Sequence, residues 1–314
     1  SRQLVDSEGY SAAKGLFSAR KAIMQYAQIK QIPNVTIDDI YTGNGVSELI
    51  NLSMLALLDA GDEVLLPSPD YPLWTACVTL AGGTPVHYIC DEQAEWYPDI
   101  DDIKKKVTPR TKAIVIINPN NPTGYLYTRK EMNQIRDLVR KYDLFLFSDE
   151  VYREFCYTGA PYISAFHLEG IENNVILVDS VSKRYSECGI RIGALITKNK
   201  QVRENVMKWC QARLSPPLIG QIMAEASLDT PEEYMRDVYD EYVERRKFLI
   251  DGLNRIPGCY SPIPMGAFYT VARLPIDDAD KFCAWCLEEF DYEGQTIFMA
   301  PASGFYTTPG LGKN

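Results

Sequence analysis

The chain has little histidine, no cluster of basic residues and no long apolar run, and each shortage excludes a class of function. Its 314 residues include only two histidines, so histidine-rich metal sites and most histidine-based catalytic triads lack the residues they need. The formal net charge is −10 and no Lys/Arg-rich block occurs, so binding to nucleic acid is not predicted. No apolar run approaches the roughly eighteen residues of a membrane span, and the first residues are unlike a signal peptide. We therefore expect a cytoplasmic protein without a membrane partner.

Cysteine is more frequent, but the eight cysteines form no framework of disulfides or metal ligands. Only Cys283 and Cys286 have a suggestive spacing, and they lie in a helical pattern without a second cysteine pair or a histidine pair. We interpret these thiols as core or half-buried residues and predict no metal site. The 46% apolar content supports a substantial hydrophobic core.

The order of apolar segments predicts an α/β fold with two domains. From Ile37 to about Thr197, short apolar strands alternate with helical segments, which is typical of a mostly parallel sheet with helices on both faces. After that the pattern becomes helical, and beyond Pro257 it predicts three short strands and one helix. The three strands are expected at residues 259–261, 267–272 and 296–300. We predict a large domain over residues 1–238 and a smaller α+β domain over residues 239–314.

Lys183 is the first candidate for chemistry. It follows the apolar strand Val175–Val178 and precedes a second apolar segment, Ile190–Ile196, so it lies in a loop where two strands end. In an α/β protein such a loop borders the crevice in which ligands bind, and a lysine there can serve as a nucleophile. The alternative is a solvated surface lysine, which is the commoner case. The neighbouring Ser180 and Arg191 would suit a phosphate group.

Two further segments follow predicted strands and suit a phosphorylated aromatic ligand. Gly43-Asn44-Gly45-Val46-Ser47 is a glycine turn that opens a helix, where free amide groups favour an anion. An ordinary turn capped by Ser47 is the alternative. Tyr71 lies in a proline-rich loop and offers a flat face on which a ring could stack, although loop aromatics often only pack.

The remaining two segments supply polar groups at strand ends. Asn121 belongs to a string with two Asn-Pro pairs, which predicts a rigid turn that aims an amide into the crevice. Asp149 and Tyr152 end an apolar strand, where a carboxylate could balance a cation and a tyrosine could donate to a ligand oxygen. A metal bound by Asp149 and Glu150 is the alternative, but further ligands are lacking. Pyridoxal phosphate needs the whole set: an amine, a phosphate cup, a stacking ring, an amide and a buried acid.

The motifs resemble, in type and order, those of the fold-type I aminotransferases of class I and II, the aspartate aminotransferase superfamily. They are Gly-x-Ser, Asn-Pro-x-Asn-Pro-Thr-Gly, Ser-Asp-Glu-x-Tyr, Ser-x-Ser-Lys and Gly-x-Arg-x-Gly, and the resemblance covers essentially the whole chain. It implies a sheet of the seven-stranded type between helices, a smaller α+β domain, and pyridoxal 5'-phosphate as cofactor. Lys183 would form the Schiff base and carry the proton shift, and Asp149 would keep the pyridine nitrogen protonated. Tyr152 and Asn121 would hydrogen-bond the 3-oxygen, and Tyr71 would stack on the ring.

The same resemblance implies how the phosphate is held and how subunits associate. The residues expected to bind the phosphate are Gly45, Val46, Ser47, Ser180 and Arg191. Tyr10 resembles a tyrosine that reaches across the interface of a homodimer to the partner's phosphate. Family members usually have residues before this tyrosine and a C-terminal extension with the arginine that binds the substrate carboxylate. We expect those parts, and so pieces of the small domain, to lie outside this sequence.

The expected activity is transfer of an amino group between an amino acid and a 2-oxoacid by a ping-pong mechanism. Aspartate is favoured as substrate by family resemblance alone, and alanine and aromatic amino acids stay open. Another reaction on the same cofactor, β-elimination at a C–S bond or decarboxylation, is the first alternative. A non-catalytic regulator that binds the cofactor is the second, but it would need a basic DNA-binding segment that the sequence does not contain.

Overall fold

The computed structural model describes residues 7–314, and within them eight strands form a single sheet. The strands are β1 (Ile40–Asn44), β2 (Glu63–Ser68), β3 (Thr84–Asp91), β4 (Tyr97–Pro98), β5 (Thr111–Ile117), β6 (Phe145–Asp149), β7 (Val175–Ser180) and β8 (Ile192–Thr197). Their order across the sheet is β1-β8-β7-β6-β5-β2-β3-β4.

Most neighbouring strands are parallel, which confirms the predicted α/β class. The pairs β2–β3, β2–β5, β5–β6 and β6–β7 are parallel, and β8 runs antiparallel between β7 and β1. Because β8 is antiparallel to both of its neighbours, β1 and β7 run in the same direction. The sheet thus has seven longer strands, and the two-residue β4 pairs antiparallel with β3 at its edge. The carboxyl ends of β1, β2, β5, β6 and β7 therefore meet at one edge of the sheet.

Helices cover both faces of this sheet, so the central strands are buried on both sides. In β5, Ile114 and Ile116 contact one hydrophobic core, whereas Ala113, Val115 and Ile117 contact the other. The ten α-helices of residues 7–314 are α1 (Phe17–Ile29), α2 (Gly45–Leu57), α3 (Leu73–Leu80), α4 (Ile100–Lys106), α5 (Arg129–Tyr142), α6 (Val181–Arg184), α7 (Lys200–Arg213), α8 (Leu218–Ala226), α9 (Glu232–Leu253) and α10 (Ala279–Glu288). None of the helices in this part of the chain is both long and apolar enough to cross a bilayer.

The segment after α9 contains less β-structure than its sequence predicts. The three strands predicted at residues 259–261, 267–272 and 296–300 do not form ladders. Isolated bridges occur instead, between Tyr260 and Arg273 and between Cys156 and Gly266, the latter joining this segment to the loop after β6. A short apolar segment forms a strand only where a partner strand lies beside it. The predicted domain boundary at residue 238 lies inside α9 and stays a prediction.

The N-terminus of α2 approaches β8 so closely that Gly193 has no room for a side chain. A Cβ atom built on Gly193 would lie 2.5 Å from the backbone nitrogen of Val46. Because backbone atoms cannot yield as a flexible side chain can, a larger residue must push the first turn of α2 away from the sheet.

We predict that Gly193→Ala lowers the free energy of unfolding by roughly 1–3 kcal/mol, the usual cost of overpacking. Gly252→Ala is the matched control, because a Cβ there meets no atom within 4 Å and the residue lies in the last turn of α9. Alanine at that helical position should stabilise the chain slightly. Urea unfolding followed by circular dichroism measures both values. Equal midpoints for Gly193→Ala and the parent chain would contradict the close approach.

Candidate active site

Loops at the carboxyl edge of the sheet line one cleft with a volume of about 220 Å³. Nine of the eleven residues predicted for the site contribute to its wall, so the cleft gathers segments that are far apart in the sequence. These nine are Val46, Ser47, Tyr71, Asn121, Asp149, Tyr152, Ser180, Lys183 and Arg191. They end or follow β1, β2, β5, β6 and β7, or directly precede β8, whose reversed direction brings its start to the same edge.

One end of the cleft is built to hold an anion. The first turn of the thirteen-residue helix α2 has no side-chain cap, so its amide groups after Gly45 stay available at the positive end of the helix dipole. Gly45 has a φ of +76°, and a Cβ there would lie 2.2 Å from a guanidinium nitrogen of Arg191. The Gly45 amide also donates to the Arg191 carbonyl at 2.9 Å. Arg191 thus lies against the helix N-terminus, and the hydroxyl groups of Ser180 and Ser182, 2.8 Å apart, lie in the same wall.

Asp149 ends β6 with a carboxylate that is buried and has no cationic partner among residues 7–314. It is 6% exposed, and the backbone amide of Val151 donates to it at 3.3 Å. Burial raises the pKa of Asp149 to about 7, and the nearby acids Asp179 and Glu150 add to the rise. The Val151 amide and the neighbouring Trp74 indole offset part of it, although the indole N–H completes no hydrogen bond. Such a carboxyl group can accept a hydrogen bond from a cation that enters the cleft.

The two acids next to Asp149 differ from it, because buried arginines neutralise both. Glu150 forms an ion pair with Arg153 at 2.8 Å and accepts hydrogen bonds from the hydroxyl and the following amide at Ser164–Ala165. Asp179 pairs with Arg153 at 3.2 Å and with Arg184 at 3.0 Å. Glu150 is therefore occupied by protein groups, which removes the second ligand from a metal site at Asp149 and Glu150.

The asparagine-rich loop after β5 divides its side chains between structure and cleft. Asn118 accepts from the Tyr127 amide, and Asn120 accepts from the amide and hydroxyl of Thr123, so both amide groups hold the loop itself. Asn121 has no hydrogen-bond partner among the described residues and lines the cleft. The string of asparagines thus aims one amide at a ligand and uses the others to fix the turn.

Tyr269 lines the cleft, and the sequence analysis did not predict it. Its hydroxyl lies 2.7 Å from that of Tyr152, and the two rings pack edge to face at 5.3 Å. Burial raises the pKa of Tyr152, and Tyr269 raises it further, so the pair stays protonated and can donate to a ligand. The string Phe268-Tyr269 resembles ordinary core packing, so its only sequence clue was an aromatic pair that follows Gly266 and Ala267.

Gly124 explains how this distant segment reaches the cleft. Its φ is +72°, and its carbonyl accepts from the amides of Met265 and Gly266 at 3.0 and 2.9 Å. A Cβ at Gly124 would lie 2.4 Å from Pro264. Gly124, in the loop after β5, is thus the residue against which residues 264–269 pack.

Two residues from the sequence analysis lie outside the cleft wall. Gly45 packs against the Arg191 guanidinium and does not line the cleft. Tyr10 is 83% exposed and does not line the cleft of its own chain. Glu187, beside the lysine loop, accepts a hydrogen bond from the Ser227 hydroxyl at 2.6 Å. That contact joins the loop to the end of α8.

The cleft fits pyridoxal phosphate part by part. The uncapped helix N-terminus with Arg191 suits the phosphate, and the unpaired Asp149 carboxyl suits a protonated pyridine nitrogen. The free amide of Asn121 and the Tyr152 hydroxyl suit the 3-oxygen, and the Lys183 amine suits the aldehyde. No part of the cofactor lacks a group of matching chemistry in the cleft wall.

Comparison with known proteins points the same way. The family model for aminotransferases of class I and II matches residues 5–308. A glutamate-pyruvate aminotransferase of Haemophilus influenzae is 41% identical over 290 residues, covering 90% of this chain and 70% of that protein. An alanine aminotransferase of Mycobacterium tuberculosis is 42% identical over 290 residues, covering 88% and 67%. The solved structure of an alanine aminotransferase from Pyrococcus furiosus gives a TM-score of 0.88 at 36% identity and covers 97% of this chain and 78% of that one.

The raised pKa of Asp149 predicts a pH-dependent stability in the cofactor-free protein. Between the unfolded pKa of about 4 and the folded pKa of about 7, the folded state binds more protons, so stability falls as the pH rises. Asp149→Asn cannot ionise. Relative to this variant, the parent should lose about 3 kcal/mol of unfolding free energy between about pH 5 and about pH 8. Urea unfolding at both pH values measures the difference.

Asp137→Asn serves as the control for this prediction, because Asp137 is largely exposed on α5. Its pH curve should parallel that of the parent. If the curve of Asp149→Asn also ran parallel to the parent, Asp149 would not be the buried carboxyl that the geometry describes.

Proposed function

The chain belongs to the aminotransferases of class I and II, and on that premise we propose that it transfers an amino group between alanine and 2-oxoglutarate. Its cofactor is pyridoxal phosphate. The observation that carries the substrate proposal is the identity of 41–42% to glutamate-pyruvate and alanine aminotransferases over nearly nine tenths of the chain. The preference for aspartate expected from the sequence has no support among these relatives. We replace it with alanine.

Different cleft residues bind different parts of the cofactor. The helix N-terminus at Gly45–Ser47 holds the phosphate together with Ser180 and Arg191. Tyr71 covers the ring, and Asn121 and Tyr152 donate to the 3-oxygen. Asp149 holds a proton on the ring nitrogen. When bound, pyridoxal phosphate supplies a sink for the electron pair left on the substrate Cα, and the proton held by Asp149 strengthens that sink.

Lys183 performs the proton transfer. Its amine would hold the aldehyde of the cofactor until the substrate amine takes its place. The freed Lys183 Nζ would then accept the proton from the substrate Cα and deliver it to the former aldehyde carbon, on the other side of the substrate nitrogen. Lys183 is half-buried in the cleft wall beside Ser182, so its amine is available to a ligand in the cleft. The second half-reaction reverses these steps with 2-oxoglutarate, which makes the mechanism ping-pong.

We propose that the active form is a homodimer with a large domain up to residue 238 and a smaller domain after it. Tyr10 supports this arrangement, because its side chain is exposed and lies outside the cleft of its own chain. In the dimer its hydroxyl donates to the phosphate held by the partner subunit.

Lys183→Ala should lower kcat for alanine and 2-oxoglutarate by about a thousandfold or more, because both the attachment of the cofactor and the proton transfer depend on its amine. Lys130→Ala, on the exposed start of α5, is the control and should keep parental rates. Pyruvate release, coupled to its reduction, gives the rate. Unchanged turnover in Lys183→Ala would sink the mechanism.

The same assay separates the alternative reactions. The parent with alanine alone should give one equivalent of pyruvate per site and stop, and 2-oxoglutarate should restart it. With an S-alkylcysteine, which carries the C–S bond that alanine lacks, continued release of ammonia and pyruvate without a 2-oxoacid would favour β-elimination. Release of carbon dioxide from alanine would favour decarboxylation. Aspartate in place of alanine should give a lower kcat/KM.

Arg191→Met should weaken binding of pyridoxal phosphate by about 10- to 100-fold, the usual worth of a charge-assisted hydrogen bond. Binding of pyridoxal, which has no phosphate, should change by less than about twofold. Arg136→Met on α5 is the control. Titration of cofactor absorbance gives both affinities. An equal loss for the two ligands would show that Arg191 does not contact the phosphate.

A further inference from the structure

The helical turn that carries Lys183 is too short to be stable by itself. Helix α6 contains four residues, and a single helical turn is unstable by itself because nucleation costs more than one hydrogen bond returns. Beyond it, Ser186 has a φ of +54° and is exposed, as is Cys188. Contacts outside the turn must therefore fix the position of the Lys183 amine.

The strongest of these contacts is the ion pair between Asp179 and Arg184. Both side chains are buried, at 1% and 3% exposed. Both oxygens of Asp179 accept hydrogen bonds from the guanidinium of Arg184 at 3.0 Å, and one also accepts from the Ser180 amide at 2.8 Å. Burial alone would raise the pKa of Asp179, but Arg153 and Arg184 hold it below its ordinary value. The pair is therefore ionised and bidentate.

One face of the Arg184 guanidinium packs on an aromatic ring. Its central carbon lies 3.7 Å from the ring centroid of Tyr26 in α1, a cation–π contact. Lysine could not reproduce both the bidentate hydrogen bonds and this stacking. Arg184 therefore has one available position, and the backbone that carries it has little freedom.

We infer that Arg184 is a positioning residue for Lys183. Arg184 directly follows Lys183, and Asp179 directly precedes Ser180. The ion pair therefore joins the two ends of residues 179–184, the segment that carries the Lys183 amine and the Ser180 hydroxyl. Neither Asp179 nor Arg184 lines the cleft, so the pair acts through the turn rather than on the ligand. The inference rests on the proposed role of Lys183.

Arg184→Met should lower kcat at least tenfold, because a small displacement of a catalytic amine is costly. KM for alanine should stay within about twofold, because the substrate contacts themselves are unchanged. In the cofactor-free chain, hydrogen exchange of the amides in residues 180–186 should become at least about tenfold faster. Arg184→Lys should lie between the parent and Arg184→Met in both measurements. Arg203→Met is the control, since Arg203 pairs with Asp39 at 3.0 Å away from the cleft.

A double variant separates positioning from simple loss of stability. Arg184→Met alone leaves Asp179 with one cation, which can destabilise the whole chain, whereas Asp179→Asn together with Arg184→Met removes both charges. The double variant should melt near the parental temperature and still show the low kcat and the fast exchange. Parental kcat or parental exchange in the folded double variant would overturn the inference.

The proposed function can fail independently of this inference. If Lys183→Ala kept full turnover, the role of the amine would be wrong, and the exchange measurement would still report whether the ion pair holds the turn. If Lys183→Ala lost turnover and Arg184→Met matched the parent in both kcat and exchange, only the role of Arg184 would fail.

Discussion

Three carboxylates are buried side by side where β6 and β7 end, and only two of them pair with a cation among residues 7–314. Charges of one sign cannot be buried together without compensation, so this arrangement constrains everything around it. Arg153 and Arg184 compensate Glu150 and Asp179. Asp149 is left over, and under the proposed function the protonated ring nitrogen of the cofactor would be its cation.

The compensating arginines also determine how α1 packs against the ends of the central strands. Both guanidinium groups approach the ring of Tyr26, at 5.7 Å for Arg153 and 3.7 Å for Arg184, so α1 packs over the ion pairs and keeps water from them. The Tyr26 hydroxyl in turn donates to Glu154. A network that neutralises buried acids therefore attaches the first helix to the ends of the central strands. The same network reaches the turn of Lys183 through Arg184.

The cleft itself depends on close backbone approaches that side chains would prevent. Gly193 lets the start of α2 lie against β8, Gly45 leaves space for the Arg191 guanidinium, and Gly124 receives the segment that brings in Tyr269. Each glycine lies at a contact between segments that are far apart in the chain. Loss of any one would displace a wall of the cleft together with the groups that it carries. The part of the cleft where Tyr269 pairs with Tyr152 depends most on the segment after α9.

The sequence by itself determined the α/β class and the candidate groups for the cofactor, because each of those residues belongs to a local string at the end of an apolar strand. Parallel strands bring such strings together whatever lies between them, which is why nine predicted residues share one cleft. Only the tertiary structure decided the antiparallel placement of β8, the entry of Tyr269, the isolated bridges after α9 and the pairing of Arg184 with Asp179. These features depend on which distant residues fill the space beside each segment, and a local pattern of polar and apolar residues carries no information about that partner.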